Sequence, residues 1–381
     1  MTSIVSLGDI ADVLNGAAFS SRDFITKSEA KEGDLPVFKM GNLSIGGGLR
    51  TGKDDYITKE KLTKQEKQIT KRHDILMCMT DMKSSMNLLG YSGQIKNEVY
   101  AVNQRVGIIR PNIALVNPVF LYYYMNSTDY ISKLRTTANS GVQVNLSTIS
   151  IRESEINLPS IEEQNYIANM IGALDEKIEL NRQMNETLEQ MGQTLFRYYF
   201  IDNTEAEKWG KITIGKKIHP RRGKSLKSTD MMGGIVPVVS GGLQPAGLHN
   251  QSNTHAPVVT ISASGANAGF VALWGDNVWS ADSSFIDTTT TNEVYFYYIF
   301  LKINQDKIYG MQTGAAQPHI YPSHIEMLEI PNAPDELISN FNNEISSIFD
   351  NMQRNKYELQ TLIDLRDILL PRLISGKIKI K

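Results

Sequence analysis

The sequence has 381 residues, of which 41% are hydrophobic and 21% are charged, and its formal net charge is −2. These proportions are typical of a globular protein with two or three domains, and they exclude disordered and collagen-like chains. The longest apolar run, Val294–Leu301, is far shorter than the roughly 20 residues that span a bilayer. We therefore expect no membrane partner.

The cysteine content and the distribution of charge limit the range of possible functions further. The single cysteine, Cys78, excludes an internal disulfide and a cysteine-based zinc site. No basic segment followed by an apolar one is visible after Met1, so we predict no signal peptide and a cytoplasmic location. Residues 208–227 contain eight basic residues and no acidic one, whereas residues 159–207 carry a net charge of −7. The basic cluster suits a phosphate backbone; the alternative is a solvated loop.

The chain contains an internal repeat. Short segments recur in the same order in the two halves, which predicts two copies of one domain of mixed strands and helices. The alternative is chance similarity between two α/β domains. The matching pairs are Val5–Gly8 with Ile212–Gly215, Leu35–Val37 with Val236–Val238, Val119–Tyr123 with Val294–Tyr298, and Leu158–Pro159 with Ile330–Pro331.

A long helix is predicted at the end of each copy. Ser160 is expected to cap the first helix, with Glu163 returning a bond to the Ser160 amide. Seam positions recur in alternating steps of four and three from residue 167 to 199 and from 341 to 369, and the two series superpose at an offset of 174. This spacing predicts a coiled-coil seam. The seam residues singled out are Leu174, Ile178, Asn181, Leu188, Ile348, Met352, Asn355 and Leu362.

Chain order predicts the direction of the two helices. The first leads from the first domain to the second, and the second must return if it packs on the first, so the pair would be antiparallel. Asn181 and Asn355 would then lie close together and fix the alignment; the alternative is that both face solvent. About 40 residues at 1.5 Å each give a rod of roughly 60 Å. Pro371 and Gly376 are predicted to close the second helix.

No catalytic motif is present in the sequence. Gly223-Lys224-Ser225 lacks the glycine that a phosphate-binding loop requires five residues earlier. Asn117-Pro118 resembles part of a DNA amino-methyltransferase motif, but its third position is wrong. We predict instead that Asn117 caps a helix whose first turn contains Pro118. The six histidines show no metal-ligating spacing, so we expect a protein that is not an enzyme and holds no metal.

Two regions resemble a known family. Leu158–Gln164 followed by Leu174–Asn181 looks like the central conserved region of the specificity (S) subunits of type I restriction–modification enzymes. Leu365–Ile378 looks like the C-terminal conserved region of that family. The glycine- and glutamine-containing segments that end near Gln143 and Gln317 look like its domain endings. The resemblance covers essentially the whole chain.

The resemblance implies an architecture. The expected fold is α+β, with two α/β-mixed target-recognition domains separated by a long antiparallel two-helix coiled coil, as an internal pseudo-two-fold repeat. The expected boundaries are residues 1–158 for recognition domain 1, 159–205 for the central spacer helix, 206–331 for recognition domain 2, and 332–381 for the C-terminal spacer helix and tail.

The resemblance also implies a function. Each recognition domain would read one half of a split sequence in double-stranded DNA. The helices would dock two methylation (M) subunits, and restriction (R) subunits would join through them. The chain itself would bind no cofactor, while S-adenosylmethionine, ATP and Mg are expected on the partner subunits. Two alternatives remain: a coiled-coil adaptor whose end domains bind proteins, and a self-contained methyltransferase or nuclease.

Residues that contact DNA cannot be transferred from the family, because recognition domains vary by nature. We selected basic, amide and hydroxyl side chains, with one histidine, in glycine-rich segments, where they can reach base edges. The alternative for each is a loop-stabilising bond or a solvated charge. The selected residues are Arg22, Lys39, Asn42, Lys83, Asn103, Arg105, Gln143 and Asn145 in domain 1, and Arg221, Arg222, Lys224, Lys227, Ser264, Asn267, Gln317 and His319 in domain 2.

Overall fold

The structure is a computed structural model that describes residues 3–50, 55–84, 86–139, 141–314 and 317–378. The chain divides into two compact units. Unit 1 consists of residues 1–178 and 361–381, and unit 2 of residues 179–360. Two helices of 40 residues each begin in one unit and end in the other.

Unit 1 is built from short strands and helices followed by the start of a long helix. Its strands are β1 (Ser3–Ser6), β2 (Ala11–Asn15), β3 (Phe24–Ile25), β4 (Leu35–Phe38), β5 (Tyr56–Ile57), β6 (Ile75–Cys78), β7 (Thr80–Met82), β8 (Ser92–Gln94), β9 (Ala101–Val102), β10 (Val106–Pro111), β11 (Gln143–Asn145) and β12 (Glu155–Leu158). Its helices are α1 (Leu7–Ile10), α2 (Lys59–Leu62), α3 (Pro118–Met125), α4 (Thr128–Thr136), α5 (Thr148–Arg152) and the long helix α6 (Ile161–Phe200), which ends in unit 2.

Unit 2 has the same kinds of elements, with fewer strands. Its strands are β13 (Lys211–Thr213), β14 (Arg221–Arg222), β15 (Val236–Val239), β16 (Gly247–His249), β17 (Val258–Ser262), β18 (Val271–Trp274), β19 (Trp279–Ser280), β20 (Ser283–Ile286) and β21 (Glu329–Pro331). Its helices are α7 (Ala206–Trp209), α8 (Val294–Ile303), α9 (Gln305–Gly310), α10 (Pro322–Glu326) and the long helix α11 (Asp335–Ile374), which ends in unit 1.

The sheets of the two units have corresponding strand orders. A four-stranded sheet runs β2-β10-β6-β8 in unit 1 and β14-β20-β17-β18 in unit 2. Two-stranded sheets join β1 to β12 and β13 to β21. In a third sheet β4 pairs parallel with β9, as β15 pairs parallel with β19. The matching segments of the sequence therefore occupy matching strands and helices within each unit.

Both predicted helix starts are present. The Asn117 side chain accepts hydrogen bonds from the amides of Val119 and Phe120 at 2.8 and 3.1 Å, and Pro118 occupies the first helical position. At the start of α6 the Glu163 amide donates to Ser160 Oγ at 3.3 Å. The Ser160 amide donates in return to the Glu163 carboxylate at 3.2 Å. Both capping predictions are confirmed, because these bonds satisfy amides that the helix itself leaves without partners.

Each unit completes its hydrophobic core with parts of both long helices. In unit 1, Ile167 and Ile171 of α6 belong to the same buried cluster as Leu373 of α11. In unit 2, Phe196 of α6 lies in one cluster with Phe341 of α11, and their ring centroids are 5.8 Å apart. Burial of such large apolar side chains is the main favourable contribution to the packing of the helices.

Hydrogen bonds between α6 and α11 follow a descending order within unit 2. Asn181 Nδ2 donates to the Glu358 carboxylate at 3.0 Å, and Asn355 Nδ2 donates to Asn185 Oδ1 at 2.9 Å. Tyr199 Oη donates to the Glu344 carboxylate at 2.9 Å. Residue numbers thus fall along α11 as they rise along α6, which is the order of antiparallel segments.

This register gives the bonding partners of the two asparagines that are predicted to lie close together. Asn181 and Asn355 are not bonded to each other, because Asn355 pairs with Asn185, one helical turn further along α6. Asn181 is fully buried, and its Oδ1 has no hydrogen-bond partner among the described residues. The seam spacing indicates an apolar face on each helix. It does not determine the axial alignment of the two helices to within one turn.

The end of α11 corrects a prediction. The helix continues past Pro371 to Ile374. Pro371 stands in the last turn, where a missing amide costs one helical hydrogen bond and the chain soon ends its helix anyway. Gly376 follows with a φ of 67°, a left-handed conformation that glycine adopts without strain.

Substitution of Ile171 tests the contribution of α6 to the core of unit 1. Ile171→Ala should lower the free energy of unfolding by about 3 kcal/mol, because the side chain is fully buried. Ile149→Ala is the matched control, since Ile149 is 65% exposed in the same unit. Its effect should stay within about 0.5 kcal/mol. Urea denaturation followed by circular dichroism measures both, and equal effects would contradict the packing described here.

Candidate nucleic-acid interface

A two-stranded ribbon in unit 1 gathers three of the selected residues. Strand β7 pairs antiparallel with β11, with Gln143 opposite Met82 and Asn145 opposite Thr80. The Lys83 amide donates to the Val142 carbonyl at 3.1 Å and extends the ribbon by one residue. The side chains of Lys83, Gln143 and Asn145 are exposed. A two-stranded ribbon has a width that fits the major groove of DNA.

Local bonds orient the ribbon. Thr80 Oγ1 donates to Asn145 Oδ1 at 2.8 Å, which fixes the amide plane of Asn145 and leaves its NH₂ group without a partner among the described residues. At the base of the ribbon, the Met79 amide donates to the Arg105 carbonyl at 3.0 Å. Arg105, also exposed, therefore lies beside the ribbon.

Unit 2 has a corresponding cluster around Asp282. Arg222 Nη2 donates to Asp282 Oδ1 at 2.9 Å, and Ser264 Oγ donates to the other carboxylate oxygen. An isolated β-bridge joins Ser264 to His319. His319 Nδ1 lies 2.7 Å from the Gln317 carbonyl oxygen. Four of the selected residues are thus brought together.

The two clusters occupy equivalent positions in their units. Thr80 lies two residues after the end of β6, and Ser264 lies two residues after the end of β17, the corresponding central strand. Thr80 faces Asn145 across the ribbon as Ser264 faces His319 across the bridge. Asn145 and His319 are also 174 residues apart, the offset of the helical seams. The same point of each unit therefore presents polar side chains.

Asp282 was not selected from the sequence. It follows β19 and precedes β20, and its two carboxylate oxygens hold Arg222 and Ser264 in place. The choice of basic, amide and hydroxyl groups left acidic residues out. Its position in the repeat is a sequence signal for it. Asp282 lies directly before β20, as Arg105 lies directly before β10, the matching strand of unit 1.

A cationic strap, defined as residues Arg221–Lys227, lies next to this cluster. Arg221 Nη1 donates to Thr289 Oγ1 at 2.9 Å, and its guanidinium lies over the Phe285 ring. The Lys224 backbone is held on both sides, since its amide donates to the Ser280 carbonyl and its carbonyl accepts from Trp279 Nε1. The Lys224 and Lys227 side chains are exposed. The strap therefore offers positive charge on a fixed backbone.

Asn103 and Asn267 are engaged in loop structure. The Asn103 amide donates to the Phe38 carbonyl at 2.9 Å. Asn267 Nδ2 donates to the Gly241 carbonyl at 3.3 Å. Both side chains are half-buried, and their contact with DNA stays a prediction.

Three other selected residues of unit 1 lie next to strands β3 and β4. The Lys39 ammonium pairs with Asp55 and lies 4.0 Å from the centre of the Phe24 ring. Asn42 Oδ1 accepts from the Lys39 amide at 2.8 Å. Arg22 is exposed in the short 3₁₀ helix Ser21–Asp23. The bonds of Lys39 and Asn42 serve local structure, and their contact with DNA stays a prediction.

Two observations on the described residues concern possible chemistry at nucleophilic and metal-ligating side chains. Burial raises the pKa of the Cys78 thiol to about 11, so the thiol is protonated at neutral pH and is a poor nucleophile. No group of three or more His, Cys, Asp or Glu side chains within the described ranges is placed to hold a metal ion. Among the same residues, no helix is both long enough and apolar enough to cross a bilayer.

Comparison with known proteins gives consistent matches. A family model described as "Type I restriction modification DNA specificity domain" matches residues 2–190. The HindI specificity subunit of Haemophilus influenzae is 24% identical in an alignment that covers 73% of this chain and 81% of that protein. The MjaIX specificity subunit of Methanocaldococcus jannaschii is 23% identical and covers 99% of this chain and 94% of its own.

A solved structure shares the fold. The type I restriction–modification S subunit from M. genitalium superposes with a TM-score of 0.63 at 19% identity, covering 98% of this chain and 96% of that one. The chain therefore shares the fold of this solved S subunit over nearly its whole length.

Residues 2–190 carry the type I restriction–modification DNA specificity domain, and the relatives that cover 73% and 99% of the chain are specificity subunits of this family. Recognition of DNA is the role of this family, and its specificity subunits are non-catalytic. The expectation drawn from Leu158–Gln164 and Leu365–Ile378 is therefore confirmed at the level of the family.

Neutralisation of Lys227 tests the cationic strap. If Lys227 contacts a phosphate, Lys227→Gln should weaken DNA binding similarly for all sequences. It should also reduce the slope of log K against log salt concentration by about 1. Fluorescence anisotropy over a salt series measures this slope. Lys307→Gln, an exposed lysine on α9 of the same unit, is the control and should leave the slope unchanged. An unchanged slope for Lys227→Gln would argue against the phosphate contact.

Proposed function

We propose that the chain reads a bipartite DNA target within a type I restriction–modification complex, with each unit recognising one half. The observation that carries this proposal is the equivalence of the two polar clusters, Thr80–Asn145 in unit 1 and Ser264–His319 in unit 2. A duplicated reading surface has a direct use on a target with two separate halves.

The proposed division of labour within each unit follows the chemistry of the side chains. Lysine and arginine groups of the cationic strap neutralise phosphates and fix the position of the protein on the duplex. Amide side chains such as Gln143 and Asn145 suit the donor and acceptor pattern of adenine, and Arg222 suits guanine. Asp282 holds the Arg222 guanidinium by one nitrogen, so its other nitrogens can reach a base.

The proposal includes an antiparallel two-helix coiled coil, formed by α6 and α11, between two target-recognition domains. The descending order of the Asn181–Glu358, Asn185–Asn355 and Tyr199–Glu344 contacts supports it. The shared offset of the two seams and the repeated sheet order support an internal pseudo-two-fold repeat. On this scheme the spacer helices cover residues 159–205 and 332–381, and the recognition domains cover 1–158 and 206–331.

We propose that two methylation subunits dock on exposed apolar side chains of the long helices. Met191 on α6 and Leu365 on α11 stand 174 residues apart, each directly before a matching seam position, and they are 49% and 43% exposed. Exposed apolar groups on helices mark protein interaction surfaces. The net charge of −7 over residues 159–207 suits a protein partner better than DNA.

Chemistry is assigned to the partners. In this scheme S-adenosylmethionine binds to the methylation subunits, and ATP and Mg bind to the restriction subunits that join through them. The specificity subunit contributes sequence choice and assembly. A cytoplasmic location, where the DNA lies, is part of the same proposal.

Mapping of methylated adenines tests the reading of two half-sites. In cells that carry the complete system, Gln317→Ala should change the methylated sequence in one half only, because Gln317 lies in the unit 2 cluster. Gln143→Ala should change the other half. Gln190→Ala, an exposed glutamine on α6, should leave both halves unchanged. A change in both halves from either cluster variant would contradict the assignment of one half to each unit.

Introduction of a negative charge on the long helices tests the docking surfaces. Met191→Asp and Leu365→Asp should each release one methylation subunit, since a carboxylate in an apolar contact lacks a compensating bond. Mass photometry of the assembled complex should then count one methylation subunit instead of two. Ile149→Asp, equally accessible on α5, serves as the control. Retention of two methylation subunits by both variants would place the docking surface elsewhere.

A further inference from the structure

An exposed apolar turn lies in unit 2, in the segment that follows the cationic strap. Met232 and Ile235 flank Gly233 and Gly234, whose φ angles are 71° and 112°. Only glycine adopts such angles without strain, and the two glycines bend the chain between Met232 and Ile235. Met232 is 73% exposed and Ile235 is 91% exposed. We call residues Met232–Ile235 the apolar turn.

The apolar turn contacts β16, and Lys224 of the strap contacts β19, in the sheet where β15 pairs with both of these strands. The Met232 amide donates to His249 Nδ1 at 3.2 Å, and the His249 ring lies edge-on to the Trp279 ring at 5.1 Å. Trp279 Nε1 in turn donates to the Lys224 carbonyl at 2.8 Å. One chain of contacts therefore links the backbone of the strap to the backbone of the apolar turn.

The charged residues near the apolar turn favour a nucleic acid as its partner. From Arg221 to Ile235 the chain carries four basic residues and one acidic residue, Asp230, whose carboxylate accepts from Thr229 Oγ1. The core of a protein–protein interface is depleted in charge, and lysine in particular is rare there. Apolar side chains flanked by cations are instead the arrangement with which proteins wedge open base steps while holding the adjacent phosphates.

We infer that Met232 and Ile235 insert between base pairs and unstack one base step in the half-target that unit 2 reads. This inference rests on the proposed function, because it requires that unit 2 binds DNA. The apolar side chains fill the gap between the separated bases, and Lys224 and Lys227 hold the flanking phosphates. The kinked duplex then follows the surface of the strap.

At the position that matches the apolar turn, the described residues of unit 1 carry a charged side chain instead of an apolar one. Asp34 precedes Leu35–Val37 as Ile235 precedes Val236–Val238. The Asp34 carboxylate accepts from the amides of Lys31 and Lys59 at 2.8 and 3.0 Å, so it closes a loop. The distortion should therefore occur in one half of the target only.

Fluorescence of 2-aminopurine tests the inference on the complex formed with the methylation subunits. The probe is a duplex carrying the mapped target, with 2-aminopurine placed at one base step at a time. Unstacking raises its emission, and we expect a several-fold rise at one step within the half that Gln317→Ala alters. The double variant Met232→Ser/Ile235→Ser should abolish the rise and weaken binding roughly tenfold. No step should respond in the half assigned to unit 1.

Leu248→Ser is the matched control. Leu248 is 49% exposed on β16, and its side chain points to the opposite face of the sheet from its neighbour His249. It should leave the fluorescence rise and the affinity unchanged. Tight binding of the target by the native complex without a rise at any step would overturn the inference while leaving the proposed function intact. Failure of the native complex to bind the target would instead contradict the proposed function. A double variant that still produces the rise would assign the unstacking to other residues.

Discussion

Burial of the apolar faces of the two long helices is the constraint on which the rest of the structure depends. Ile167 and Ile171 lie in the core of unit 1 together with Leu373 from the far end of the sequence. Phe196 and Phe341 lie in the core of unit 2. Neither core is complete without a segment of each helix, so the helices are structural parts of both units. Any surface that the sheets present to DNA is held by this packing.

Sequence patterns predicted local structure well where local chemistry decides it. Asn117 and Ser160 cap helices as predicted, because a side-chain oxygen and two or three free amides within one turn are sufficient for the bond. Seam spacing predicted both long helices, although the fully buried Phe196 and Phe200 stand one residue after the seam positions 195 and 199. The alignment of Asn355 with Asn185 was beyond such reasoning, since a shift of one turn keeps every apolar residue on the same face.

The candidate interface was predictable in part for a related reason. Gln143 and Asn145 were selected individually, and the structure places them with Lys83 on one ribbon. Asp282 could not be found in the same way, because its importance comes from Arg222 and Ser264, which lie far from it in sequence. Lys39 is the opposite case. Its charge suggested a contact with DNA, but the sequence alone does not show that its ammonium group pairs with Asp55.

The division of the chain into units has a consequence for biosynthesis. Unit 2 is formed by a continuous stretch, residues 179–360, whereas unit 1 combines residues 1–178 with residues 361–381. A ribosome therefore delivers every residue of the second unit before it delivers the last segment of the first. Domains generally fold as they emerge, but the core of unit 1 stays incomplete until Leu373 has been translated, because Ile171 and its neighbours pack with Leu373. During that interval the nascent chain exposes an incomplete apolar surface, which is a natural target for chaperones.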